Sequence, residues 1–150
     1  MNLESSIVIQ RPVEVVFAYL CDFSNVPKWD PTKSEVRVIP EGPIQLGTTV
    51  HMVTSFHPLG LSMELASTME VTAYGANRQF TMTATSGPFP VQFIFRVEPA
   101  GGGARLTIGG QAEPGGFFKI AEGVLINRVK KEQAEELQRL KGLLEAAPVR

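Results

Sequence analysis

At 150 residues the chain is long enough to bury a sizeable core, and a composition 43% hydrophobic and 19% charged is globular and excludes an unfolded, solvated polymer. Fourteen Lys and Arg against 15 Asp and Glu leave a net charge of -1, with no basic excess of the kind that nucleic acid selects and no acidic tail. Cys21 is the only cysteine, so no internal disulfide can form and a reducing, cytoplasmic setting is the expectation.

Leu3 to Gln10 reads as a first strand, with Ile7 and Ile9 on one face and Val8 on the other. Pro12 then favours a helix start, because a first-turn residue needs no N–H partner. Val13, Val16, Phe17 and Leu20 fall at i, i+3, i+4 and i+7, the spacing of an amphipathic helix. Cys21 sits beside that apolar face with no cation next to it, which predicts a buried, inert thiol. Asp22 to Pro27 breaks the helix, and a second short helix is expected around Val26 to Trp29.

From Ser34 the period changes to two. A strand carrying Val36 and Val38 is followed by the turn cluster Pro40-Glu41-Gly42-Pro43. Alternating segments then run from Thr48 to His57, Leu61 to Ala73, Arg78 to Ser86, Val91 to Glu98 and Ala104 to Glu113. The short breaks between them, rich in Gly and Pro, predict hairpins between sequential strands and therefore an antiparallel sheet. Phe117 to about Ala147 lacks proline and reads as one long helix with a rough apolar stripe of Leu125, Val129, Leu137, Leu140 and Leu144. Glu132, Glu136, Lys130 and Lys131 are assigned to its solvated side or edge. Strands grouped together with helices at the ends make an α+β chain, read as one domain over residues 1–150.

Alternation sorts each strand into two faces. The inward set is Met52, Thr54 and Phe56 on the third strand and Met63, Leu65, Ser67 and Met69 on the fourth. Phe80 and Met82 follow on the fifth, Phe93 and Phe95 on the sixth, and Ile108 on the seventh. Ala121, Leu125 and Val129 would face them from the long helix. Four of the five methionines lie in this set, which suits either an adaptable wall around a ligand or ordinary gap-filling in a core. His51 and His57 fall on the opposite, solvated face, ~20 Å apart along one strand, too far to share a metal ion.

Reaction motifs are missing: the sequence contains no HExxH, CxxC, GxSxG, P-loop or GxGxxG pattern. Gly101-Gly102-Gly103 lies between two strands and reads as a hairpin turn, not a phosphate cradle. Thr54 and Ser67 are the only polar strand residues pointing inward, and neither has an evident base beside it. Tyr19 and Asp22 at the end of the first helix, Asp30 after the second, and Arg128, Glu132 and Gln133 near the stripe of the long helix are the polar groups able to reach a cavity. Each also reads as an ordinary surface or capping residue. Trp29 fits as a plug whose indole N–H finds a partner at the rim. No metal or cofactor is implied.

The run from Ser6 to Asp22, with Pro12-Val13-Glu14-Val15-Val16-Phe17 and Leu20-Cys21-Asp22, is followed by Val26-Pro27-Lys28-Trp29-Asp30. Together they resemble the opening strand, first helix and "P-x-W" second helix of the START-like (SRPBCC) superfamily, in its polyketide cyclase/dehydrase and lipid transport group. Gly47-Thr48-Thr49-Val50 resembles the segment that starts the family's third strand. The resemblance implies a helix-grip fold, a seven-stranded curved antiparallel sheet wrapped around a long C-terminal helix, with a deep apolar cavity between them. Members bind lipids, sterols, polyketides or hormones, and some cyclise aromatic polyketides. The inward faces here are poor in the polar residues that cyclases place in the pocket. The expectation is therefore a non-enzymatic binding or carrier protein for a small hydrophobic ligand, monomeric or homodimeric, without a membrane span or nucleic-acid partner. The alternative is a metal-free cyclase or dehydratase in which Tyr19, Asp22, Arg128 or Glu132 polarises a carbonyl or moves a proton.

Overall fold

A computed structural model describes residues 2–57, 60–87, 90–113 and 122–146. The elements run β1 (Asn2–Ile9), α1 (Val13–Cys21), a 3-10 turn (Phe23–Asn25), α2 (Val26–Trp29), β2 (Lys33–Ile39), β3 (Thr49–Phe56), β4 (Met63–Gly75), β5 (Gln79–Ser86), β6 (Val91–Ala100), β7 (Gly103–Ala112) and α3 (Glu122–Ala146). The seven strands form one antiparallel sheet in the order β1-β7-β6-β5-β4-β3-β2. The antiparallel order is the one expected from the alternation, and the whole is the helix-grip arrangement that the START-like resemblance implies. The expected helix start at Phe117 and the candidate Ala121 lie outside the described residues.

Local chemistry accounts for the breaks. α1 starts at Pro12, whose carbonyl accepts from the N–H groups of Val15 and Val16, each at 3.1 Å. After α1, Asp22 accepts from the backbone N–H and hydroxyl of Ser24 at 3.1 and 2.6 Å. That cap turns the expected plain break into a 3-10 turn leading directly into α2. The β6–β7 hairpin closes through Gly101 and Gly102, both with positive φ (53° and 83°), a conformation side chains resist.

The core lies between the sheet and the helices. Val16, Phe17 and Leu20 of α1 are buried with Ile9, Val50, Val71, Leu106 and the aromatic stack of Phe80 on Phe95 (4.7 Å between centroids). Cys21 is buried among them, and burial pushes its thiol up to about 12, the inert state expected. The C-terminal half of α3 closes this core with Leu137, Leu140 and Leu144. It is clamped to β1 by polar contacts: Lys141 Nζ donates to the Val8 carbonyl at 2.9 Å, and the Gln10 N–H to Glu145 Oε2 at 2.8 Å. Nearer its N-terminal end Val129, Glu132, Gln133 and Glu136 of the helix border open space between helix and sheet.

Candidate functional site

A cavity of about 290 Å³ lies between the concave face of the sheet, α2 and the N-terminal half of α3. It exists because several inward positions carry little side chain. Ser67 and Thr54 stand on β4 and β3, and Gly110 on β7 has no side chain at all. A Cβ at Gly110 would stand 3.6 Å from the Phe93 ring, an ordinary contact, so the glycine spares the hollow a side chain without being required by the ring. Inward sides of adjacent strands meet across it: Thr54 pairs with Leu65, Met52 with Ser67, and Met82 with Phe93.

Most of the inward set lines this space. Met52, Leu65, Met69 and Met82 supply flexible apolar wall, and Phe93, Phe95 and Ile108 close it toward β7. Val129 faces them from α3, and Trp29, 95% buried, comes from α2, with its ring edge-on to Phe95 at 6.3 Å. Two candidates stand elsewhere. Phe80 is 1% exposed and packed among Phe17, Phe23 and Phe95, where the core is solid. Met63 opens β4 opposite Phe56 at the far end of the β3–β4 pair and is not among the lining residues. The side chains of Phe56 and Leu125 lie outside the described residues.

The polar candidates separate sharply. Asp22 is an exposed cap, as above. Tyr19 lies outside the cavity, its carbonyl accepting from Asn25 Nδ2 at 3.2 Å, and burial with the Asp22 charge raises its phenol above the ordinary value. Arg128 also lies outside, donating to Glu132 Oε1 at 3.1 Å and to the His57 carbonyl at 3.2 Å. Asp30, Glu132 and Gln133 do line it. Asp30 is 5% exposed, accepts from the Thr32 N–H at 3.1 Å and pairs with Lys33 at 3.0 Å. Gln133 accepts from the Ser5 hydroxyl at 2.7 Å and donates one N–H to the Ile108 carbonyl at 3.4 Å.

Two features correct the sequence reading. Glu136 was assigned to the solvated side of the long helix, yet it lines the cavity. Burial, then the nearby Asp30 and Glu132 charges, push its carboxyl up to about 8, against partial relief from Lys33 and Arg139. The second concerns Trp29, whose indole N–H was expected to find a partner at the rim. It is buried with no acceptor among the described residues.

The histidines stay on the convex side. His51 Nδ1 is 2.8 Å from the hydroxyl of its cross-strand neighbour Thr68, and His57 is exposed with Nδ1 3.1 Å from Ser62 Oγ. Replacing both by Gln should leave the affinity for an apolar ligand within about threefold, since neither side chain reaches the cavity. A titration showing a loss of tenfold or more in a folded variant would mean that the strand register is inverted.

Over residues 1–145 the sequence matches the family described as polyketide cyclase/dehydrase and lipid transport. The chain belongs to this family. Comparison with curated proteins gives no significant match. Among solved structures, a Thermus thermophilus protein superposes with a TM-score of 0.80 at 14% identity, covering 99% of this chain and 100% of its own. A START superfamily protein from Mycobacterium smegmatis gives 0.65 at 18% identity over 96% of this chain and 94% of its own. The Zhui aromatase/cyclase from a Streptomyces species gives 0.71 at 16% identity over 97% and 93%. At such identities the likeness establishes the fold alone. Membership of this family supports a role in hydrophobic-ligand binding or cyclase-type chemistry. No helix among the described residues is long and apolar enough to cross a membrane.

Proposed function

We propose that this protein binds or carries a small hydrophobic ligand of lipid, sterol or polyketide type inside the cavity under α3, in the cytoplasm. The observation that carries the reading is the wall itself. Side chains from β3 to β7 surround an unfilled hollow with apolar surface, where a domain built only for stability would pack a solid core. The methionines supply deformable surface, which suits a site that accepts related shapes.

Cyclase-type chemistry has one specific point in its favour. Burial and the nearby Asp30 charge push the Glu136 carboxyl up to about 8, which would let it act as a proton donor inside the cavity. Binding without turnover is nevertheless the better reading. Of the four expected catalytic candidates, only Glu132 lines the cavity, and it faces Arg128 in an ion pair at 3.1 Å. Incubation with aromatic polyketide analogues, followed by mass spectrometry, should return them bound and unchanged. Turnover that disappears in Glu136→Gln would replace the carrier with the cyclase.

A further inference from the structure

We propose that the ligand is amphipathic, with one neutral hydroxyl or carbonyl oxygen held by the hydroxyls of Thr54 and Ser67 and an apolar body lying toward β5 to β7. The inference deepens the binding reading and rests on it. Thr54 on β3 and Ser67 on β4 both line the cavity. Thr54 pairs with Leu65 and Met52 with Ser67, so the two hydroxyl residues are diagonal neighbours on one face of the sheet. Among the described residues neither hydroxyl has a hydrogen-bond partner. Hydroxyls on the convex side do find partners: Thr68 Oγ1 lies 2.8 Å from His51 Nδ1, and Thr72 Oγ1 lies 2.8 Å from Thr83 Oγ1. The inward hydroxyls are not sealed off either. Both residues are only partly buried, whereas the Trp29 nitrogen alone among the described residues is both inaccessible and unpartnered. Thr54 and Ser67 therefore present free donors and acceptors to whatever fills the hollow.

The rest of the wall sets the orientation. The inward side chains that line the cavity from β5 to β7 are apolar: Met82, Val91, Phe93, Phe95, Ile108 and Ala112. Most other polar lining groups are already engaged. The Thr32 hydroxyl donates to Asp30 at 2.5 Å, Asp30 holds Lys33 at 3.0 Å, and Glu132 holds Arg128 at 3.1 Å. Glu136 is uncharged at neutral pH, because burial pushes its carboxyl up to about 8. A pure hydrocarbon would strip water from Thr54 and Ser67 and leave both unpaired, which costs more than a typical hydrogen bond returns. A neutral oxygen restores them. A carbonyl accepts from both, and a hydroxyl accepts from one and donates to the other. A carboxylate would meet the same donors but lose its hydration with no free cation to offset the loss. Lys33 is the one cation among the described lining residues, and Asp30 already holds it.

The test compares four probes on one naphthalene skeleton at neutral pH: ethylnaphthalene, naphthalenemethanol, acetonaphthone and naphthoate. Titration calorimetry sets the wild type against the double variant Thr54→Val with Ser67→Ala, which deletes both hydroxyls and nearly keeps their volume. The variant should bind the alcohol and the ketone about tenfold more weakly, and ethylnaphthalene as tightly or more tightly. The larger of the two losses shows which oxygen the pair prefers. Without ligand the variant should melt no lower than the wild type, because the substitutions break no hydrogen bond between described residues. Thr54→Ser keeps a hydroxyl and should retain the wild-type preference for alcohol over hydrocarbon. Infrared spectroscopy gives an independent reading: the carbonyl stretch of bound acetonaphthone should lie lower in the wild type than in the double variant. Equal losses for all probes, unchanged affinity for alcohol and ketone, or naphthoate binding the wild type as tightly as the alcohol would each overturn this proposal while leaving the cavity reading intact. Failure of all four probes to bind either protein would overturn the cavity reading and the proposal with it.

Discussion

Leu65→Trp should abolish binding of apolar probes, with a drop in affinity of more than about tenfold, while the protein still folds. Leu65 stands on β4 opposite Thr54, both side chains facing the hollow. It is only partly buried by its neighbours, because one side of it borders the cavity. An indole at this position extends into space that a ligand would otherwise use. If the space is open, the added volume meets few atoms and the stability change stays below ~1 kcal/mol. A filled core would instead be overpacked at a cost of about 1–3 kcal/mol. A probe titration and a denaturant melt on the same variant separate the outcomes. Retained binding, or a severe loss of stability, would count against a preformed hollow.

Stability should decline as pH rises from about 4.5 to about 8, and Glu136→Gln should remove most of that decline. The Glu136 carboxyl titrates near 4.5 in the unfolded chain and at about 8 in the folded one. Between those values the folded protein holds a proton that the unfolded chain releases. Raising pH across this window therefore favours unfolding, by at most ~1.4 kcal/mol per pH unit from this one group. Below the window both states are protonated, so wild type and Glu136→Gln should match within about 0.5 kcal/mol. Above it the wild type keeps a charged carboxylate near Asp30 and Glu132, with Lys33 and Arg139 partly offsetting the repulsion. There the variant should be more stable by roughly 2–3 kcal/mol. Denaturant melts across the range provide the check, and parallel pH profiles for the two proteins would show that Glu136 is solvated.

Strand alternation made the sheet readable, because period two persists through β3 to β7 and one face of each strand is apolar. The same alternation placed Met52, Leu65, Met69, Met82 and Phe93 on the face that borders the cavity. It could not separate Phe80, which is solid core, from Phe95, which lines the hollow, because both point inward. That difference depends on where α3 rests on the sheet. Glu136 had a legible signal that the aliphatic stripe obscured. Val129, Glu132, Gln133 and Glu136 fall at i, i+3, i+4 and i+7, one helical face that continues into Leu140 and Leu144. Hydrophobicity assigns carboxylates to solvent, whereas continuity of the face assigns them to the cavity. The unpartnered Trp29 N–H had no sequence signal, since pairing is decided by tertiary neighbours alone.

The most direct test of the hollow is a titration of the wild type with ethylnaphthalene, read by calorimetry and by a thermal melt of the same sample. Binding should saturate at one molecule per chain. At a ligand concentration 100 times Kd it should stabilise the fold by about 2.7 kcal/mol, which raises Tm by roughly 5–10 °C for a chain of this size. No saturable heat and an unchanged Tm, repeated with larger apolar probes, would contradict the account.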